Sequence, residues 1–223
     1  MKSSLTRRAA GEFLGTAFLV AAIVGSGIMA ERLSGGNVAL ALLANTIATG
    51  AALVALILTF RPVSGAHLNP VVSLAEAFLG AISWPEAALY SAVQIAGGIA
   101  GAACADVMFA LPAFSLSQHA RTGPSQWVSE VVATFGLLLV IRSCARFEQT
   151  LLPFAVASYI VAAYWFTSST SFANPAVTIA RSLTDTFAGI RPNDVPEFIA
   201  AQIAGGFLAV FIFEWLSPEP GNS

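Results

Sequence analysis

Ser64-Gly-Ala-His-Leu-Asn-Pro70 and Ser171-Phe-Ala-Asn-Pro-Ala-Val177 are the two stretches on which the fold of this 223-residue chain turns. Each sets Asn-Pro at the head of a short apolar segment. Asn at an N-cap accepts orphan backbone N–H groups, and Pro at the first helical position has no N–H to leave unpaired. Residues 69–80 and 174–187 therefore read as helices of 12 and 14 residues, about 18 and 21 Å long at about 1.5 Å per residue. Neither crosses a hydrocarbon core of about 30 Å. A single Asn-Pro is an ordinary loop signal, so the weight lies on its repetition.

Working outward, residues 12–20 read EFLGTAFLV and residues 130–138 read EVVATFGLL, while Gln94-Ile-Ala-Gly-Gly98 returns unchanged as Gln202-Ile-Ala-Gly-Gly206. Three markers thus recur in one order. Around them lie six longer apolar stretches, at about 9–30, 38–60, 86–109, 126–141, 151–166 and 195–215. Polar or turn-forming residues separate them at 34–37, 112–124, 142–149 and 191–194. Three spans per half is an odd number, so the second half enters from the opposite face. The chain reads as one domain, 1–223, of two inverted repeats at about 9–111 and 126–216. The short helices then dip in from opposite faces, and their Asn-Pro starts meet near the midplane. Non-helical backbone at that depth must be buried in protein or line a watery cavity. Residues 61–68 and 167–173 are therefore expected to line a pore, with the carbonyls of Gly65, Ala66, His67, Thr170 and Phe172 as its polar track.

Composition agrees with a membrane setting. The chain is 57% hydrophobic and only 10% charged, with a net charge of −2, where a soluble domain carries about 25% charged residues. A soluble domain and a basic nucleic-acid binder are both excluded, and the lipid bilayer is the expected partner. Cys104 and Cys144 lie in apolar runs, form neither a disulfide framework nor a four-ligand metal cluster, and read as core packing. No nucleophile–base constellation or phosphate-binding glycine loop is present, so no enzyme, cofactor or metal is expected. Lys2, Arg7 and Arg8 before an apolar run imitate a signal peptide, but Glu12 and the length of the run favour a retained first helix. Lys2, Arg7, Arg8, Arg61, Arg142 and Arg146 fall on one side, and Arg32, Arg121, Arg181 and Arg191 on the other. That modest bias points to cytoplasmic termini.

Together, SGAHLNP, SFANPAV and the helix-initial glutamates resemble the major intrinsic protein family, the aquaporins and aquaglyceroporins, over nearly the whole chain. The resemblance implies an all-α membrane bundle of six transmembrane helices plus two re-entrant half-helices. It implies a homotetramer whose subunits each conduct small neutral solutes, with Asn69, Pro70, Val71, Asn174, Pro175 and Ala176 as the pore motifs. The asparagine amides would donate to a permeating oxygen while the two positive helix ends oppose protons and cations. Glu12 and Glu130 would brace the re-entrant loops, with Gln94 and Gln202 in a similar part. A solvated, interfacial Glu12 and plain small-residue packing at the Ala-Gly-Gly runs remain open alternatives.

Departures from the family pattern are informative. Val71 replaces the usual Ala of the first motif, and Val177 replaces the arginine of the selectivity filter. Alignment with the family puts the other filter positions at Thr49, Ala162 and Ser171, with Tyr164 as the alternative to Ala162. A wide constriction without aromatic, histidine or fixed charge is the expectation. Thr178 stands where glycerol facilitators carry an aspartate. Arg181, almost two turns past Asn174, reads more simply as an i to i+4 partner of Asp185 or a headgroup contact than as a vestibule charge. His67 is expected at the inner mouth, and His119 in a solvated loop. Among the family's branches, SFANPAVTIAR without the filter arginine most resembles channels encoded with bacterial arsenic-resistance genes. That implies passage of arsenous acid, methylated arsenicals, glycerol and water. A water-selective aquaporin and an ion-coupled secondary transporter are the alternatives; the latter needs a titratable midplane site. The signal-free start and lack of a glycosylation sequon fit a bacterial inner membrane.

Overall fold

The computed structural model describes residues 3–217, and all regular structure among them is helical. The order is α1 (Leu5–Leu33), α2 (Val38–Ser64), α3 (Pro70–Phe78), α4 (Trp84–Met108), α5 (Pro124–Phe147), α6 (Leu152–Phe166) and α7 (Pro175–Arg181). A 3₁₀ turn at Pro192–Asp194 then leads into α8 (Val195–Leu216). Local chemistry sets the helix starts. The side chains of Ser4, Asn37 and Ser83 accept the N–H groups of Arg7, Leu40 and Glu86, and proline occupies the first turn of α3 to α8. Helix α2 stops at Gly65, whose φ of +97° is the left-handed cap that glycine adopts without strain.

Helices α1, α2, α4, α5 and α8 are long and apolar enough to cross a membrane, whereas α6 has 15 residues, about 22 Å. Apolar residues cover their outer faces too: Phe18, Ile47, Leu58, Val107 and Phe211 are exposed. A helix apolar on all sides belongs in lipid or a deep core, and these outer faces mark the lipid boundary. Inside, α1 packs on α2 and α4, α5 on α6 and α8, and α2 on α6. The short α3 leans on α4 and α8, and α7 on α4 and α8.

The repeated Gln-Ile-Ala-Gly-Gly is explained by this packing. A Cβ on Gly97 or Gly101 would strike the backbone carbonyl of Phe13 or Ala17, and one on Gly205 that of Val131. These glycines let α4 and α8 touch the backbones of α1 and α5 beside Glu12 and Glu130. The second glycine of each motif faces a short helix. A Cβ on Gly98 would come within 3.1 Å of the Ala176 carbonyl, and one on Gly206 would collide with Val71.

Several expectations are corrected. Helix α5 continues into the 142–149 stretch as far as Phe147, because its arginines find partners at the bundle end: Arg142 Nη2 donates to Glu214 at 2.8 Å, and Arg146 donates to the Ser217 carbonyl. Helix α3 has 9 residues and α7 only 7, shorter than the apolar patterns implied. Helix α7 ends early because the loop after α4 claims the carbonyls beyond it: Ser117 N donates to Ser182 O at 3.1 Å and Ser115 N to Leu183 O at 2.9 Å. Cys104 is exposed on α4 rather than packed in the core. Lys2 lies outside the described residues.

Candidate functional site

The starts of α3 and α7 meet and complete one another. Asn69 Oδ1 accepts Val71 N at 3.0 Å while its Nδ2 donates to the Ala173 carbonyl at 2.7 Å. Asn174 mirrors it: Oδ1 accepts Ala176 N at 3.0 Å, and Nδ2 donates to the Leu68 carbonyl at 2.7 Å. An amide nitrogen carries two hydrogens, so each asparagine caps, crosses to the other half and keeps one N–H. Both asparagines stand on the wall of a cavity of about 230 Å³, leaving that donor for a guest.

The loops leading to the two caps are strained alike. Ala66 and Leu68 have φ of +53° and +49°, and Ser171 and Ala173 of +52° and +48°. Left-handed backbone costs a non-glycine residue roughly 1–2 kcal/mol, so each loop needs an anchor. Glu12 supplies the first: its carboxylate accepts Ser64 Oγ at 2.6 Å, His67 N at 3.0 Å, Leu68 N at 2.7 Å and Gln94 Nε2 at 2.8 Å. Glu130 supplies the second, accepting Ser169 Oγ at 2.6 Å, Phe172 N at 2.9 Å, Ala173 N at 2.8 Å and Gln202 Nε2 at 2.6 Å. Neither carboxylate is exposed. Glu12 is therefore not the solvated interfacial charge that its place near the helix start allowed. Each glutamine ties its glutamate to the adjacent half-helix as well, Gln94 through Ser73 Oγ at 3.1 Å and Gln202 through Thr178 Oγ1 at 2.8 Å. Bracing and small-residue packing both hold in these motifs, on different residues.

The cavity has an apolar wall, including Leu19, Leu53, Ile57, Val156 and Ile160, and faces it with a polar one. Gly65, Ala66, His67 and Phe172 lie on the polar side; Thr170 does not. Thr170 sits in the turn before the loop, where its N–H donates to the Thr167 carbonyl at 3.2 Å. At one end the wall includes Arg61, Glu76 and Gln149, and Arg61 Nη2 donates to Gln149 Oε1 at 3.0 Å. Val71 is fully buried and is not on the wall; its extra bulk points at Gly206. His67 Nδ1 lies 3.1 Å from Ser73 Oγ, and its ring meets Tyr90 edge-on.

Toward the other end Thr49, Ser171 and Val177 converge on the cavity. Ala162 does not join them: it is exposed on α6, and Tyr164 takes the place, buried and with its OH 3.4 Å from Thr49 Oγ1. The expectation of a constriction without an aromatic ring is overturned with it. Arg181 also departs from its simpler reading. Because α7 stops at Arg181, no helical i to i+4 pairing with Asp185 exists; Asp185 instead accepts Gln118 N at 2.9 Å. The Arg181 side chain is buried against Phe172 and reaches the cavity wall. Above it, Arg121 N donates to Asp194 Oδ2 at 2.8 Å, and burial of the Arg121 guanidinium lowers its pKa from the ordinary value, with Glu130 opposing that shift. Neither Arg121 nor Asp194 carries a local signal of this bracing role, since both act through contacts between distant loops. Among the described residues no group of three or more His, Cys, Asp or Glu side chains is placed to hold a metal ion.

Comparison with known proteins places this geometry. A family model described as Major intrinsic protein matches residues 1–168. Aquaglyceroporin AqpS of Rhizobium meliloti (strain 1021) is 54% identical over 212 residues, covering 95% of this chain and 91% of the relative. Aquaporin A of Dictyostelium discoideum is 32% identical over 93% of this chain and 77% of its own length. Glycerol uptake facilitator protein 3 of Lactiplantibacillus plantarum is 29% identical over 97% and 99%. In fold, the chain is similar to the aquaglyceroporin from Plasmodium falciparum, with a TM-score of 0.73 at 22% identity over 95% and 96% of the two chains.

Proposed function

Because this chain belongs to the major intrinsic protein family, we propose that its cavity passes small neutral solutes bearing several hydroxyls, arsenous acid and glycerol among them, together with water. The coarser statement stands on the family itself: the chain is a multi-pass membrane channel for small neutral solutes and not an enzyme. The observation that carries the finer reading is the make-up of the constriction. Thr49, Ser171 and Val177 are small or medium side chains around one aromatic, Tyr164. Such a ring admits solutes wider than water, and the apolar Val177 tolerates a methyl group where a hydroxyl would otherwise lie. Methylated arsenicals fall within the same reach.

The wall supports this chemistry in two ways. The free N–H of Asn69 and of Asn174 offers a donor to a passing oxygen where two helix N-termini face each other, and their partial positive charge disfavours cations. Residues about 9–111 and 126–216 are read as inverted repeats in one channel domain. We place the protein as a homotetramer in a bacterial inner membrane with both termini cytoplasmic. An ion-coupled transporter is disfavoured because Glu12 and Glu130, the acidic groups nearest the midplane, each already accept four hydrogen bonds.

The test is a solute panel in proteoliposomes, comparing water, glycerol and arsenous acid. Flux is expected to be non-saturating, equal in both directions and indifferent to proton or sodium gradients. Uphill accumulation driven by an ion gradient would establish a transporter, and passage of water alone would establish a water-selective pore.

A further inference from the structure

Two guanidinium groups lie over the ring of Phe172, Arg181 with Cζ 3.4 Å from the ring centroid and Arg121 with Cζ at 5.0 Å. Arg121 is consumed in holding the outer loops: its Nε donates to the Gly189 carbonyl at 2.8 Å and its Nη1 to Ser169 O at 3.3 Å, and it is not on the cavity wall. Arg181 differs on each point. It lines the cavity although only 2% exposed, its Nε donates to the Ala188 carbonyl, and it forms no ion pair among the described residues. Its two terminal nitrogens have no protein acceptor there, and neither is sealed away from the cavity. A buried cation ordinarily has a counter-charge. Here its free face is the pore.

Helix geometry explains how it gets there. Side chains of an α-helix lean toward the N-terminus, so a long one covers the turn before its own Cα. Arg181 stands one turn beyond Val177 on α7, so its side chain leans toward the turn that carries Val177, and both residues line the cavity. The end of α7 fixes it: Ile190 N donates to Arg181 O at 3.3 Å, and the Ala188 carbonyl of the same returning segment takes Nε–H. Beside it Ser171 Oγ is buried with no hydrogen-bond partner.

We propose that Arg181 is the cationic selectivity group of this pore, its guanidinium acting at the constriction of Thr49, Tyr164, Ser171 and Val177 and donating to the oxygens of a neutral polyhydroxy solute. The inference rests on the channel reading above. The fixed charge repels protons and cations, the terminal N–H groups replace hydration of a hydroxyl, and the Ser171 hydroxyl offers a second partner.

The experiment measures osmotic water flow, glycerol uptake and proton leak in proteoliposomes at matched protein density. Arg181→Gln is expected to raise proton leak by about tenfold and to shift the glycerol-to-water ratio. Val177→Arg alone crowds two like charges into one constriction and is expected to depress both fluxes. The double variant Val177→Arg/Arg181→Leu moves the guanidinium one turn and is expected to bring leak back to about the parent value. Arg181→Lys keeps the charge but loses the planar fork, so leak stays low while the solute ratio changes. The proposal is overturned if Arg181→Gln passes water but leaves leak and ratio as in the parent. If that variant does not reach the membrane, a roughly tenfold leak through Arg181→Lys overturns it instead. The channel reading fails separately, if the unmodified protein passes neither water nor glycerol down a gradient.

Discussion

Val71 and Gly206 are expected to behave as one packing unit, and a double-mutant cycle measures it. Val71 Cγ1 occupies the place a Cβ on Gly206 would need, and Val71 is wholly buried away from the cavity. Within a bilayer little water-to-oil transfer is at stake between helices, so the cost of Val71→Ala is mainly the void. Two methyl groups leave roughly 50 Å³, and at about 24 cal/mol per Å³ that is about 1 kcal/mol. Gly206→Ala overpacks the same spot and costs about 1–3 kcal/mol. In the double variant the new methyl sits in the space the valine vacated, so both penalties largely vanish and the coupling energy approaches about 2 kcal/mol. Reversible unfolding of the purified protein in mixed micelles, titrated with a denaturing detergent, reads all four corners of the cycle. Water flow should not change in the double variant. Additivity within about 0.5 kcal/mol would refute the pairing, and altered flux in the Val71→Ala protein would put Val71 on the pore wall after all.

Two further outcomes follow from the packing. Glu130→Gln replaces an anionic acceptor of four donors with an amide that accepts at one atom and brings its own N–H groups; a loss of about 2–4 kcal/mol is expected, with faster amide exchange at Phe172 and Ala173 and reduced solute flux. Gly101→Ala drives a methyl into the Ala17 backbone carbonyl and should lower the thermal unfolding midpoint by several degrees, about 1–3 kcal/mol of overpacking, whereas Gly25→Ala, whose Cβ would meet only the Phe109 side chain at 3.4 Å and Ala105 Cβ at 4.0 Å, should be tolerated; equal midpoints for the two would refute the close α1–α4 approach.

The half-helices were legible because Asn-Pro is a local instruction, and the glutamate and glutamine partners because their order repeats. Ala162 was not resolvable from Tyr164 for a physical reason. Helix α6 is apolar on every side, so no amphipathic stripe says which face turns inward. Two residues along a helix rotate the side chain by about 200°, and the choice reverses inside and outside. Arg181 was misread because its pairing assumed that α7 continued, and the bonds that end α7 come from residues 115 and 117, more than sixty positions earlier. The compensation between Val71 and Gly206 is likewise invisible along the chain, since it joins the first short helix to the last long one.

The crossed asparagine bonds also set a timetable for biogenesis. Asn69 precedes its acceptor, Ala173, by 104 positions, and Leu68 waits 106 for the amide of Asn174. A nine-residue α3 is too short to be stable unaided, and contacts so distant along the chain form late. During synthesis the first half therefore rests in the bilayer with the crossing amide of Asn69 and the carbonyl of Leu68 both unclaimed. The polar wall is complete only when the second short helix has docked, and a nascent chain halted before that point has no finished polar route through which the membrane could leak.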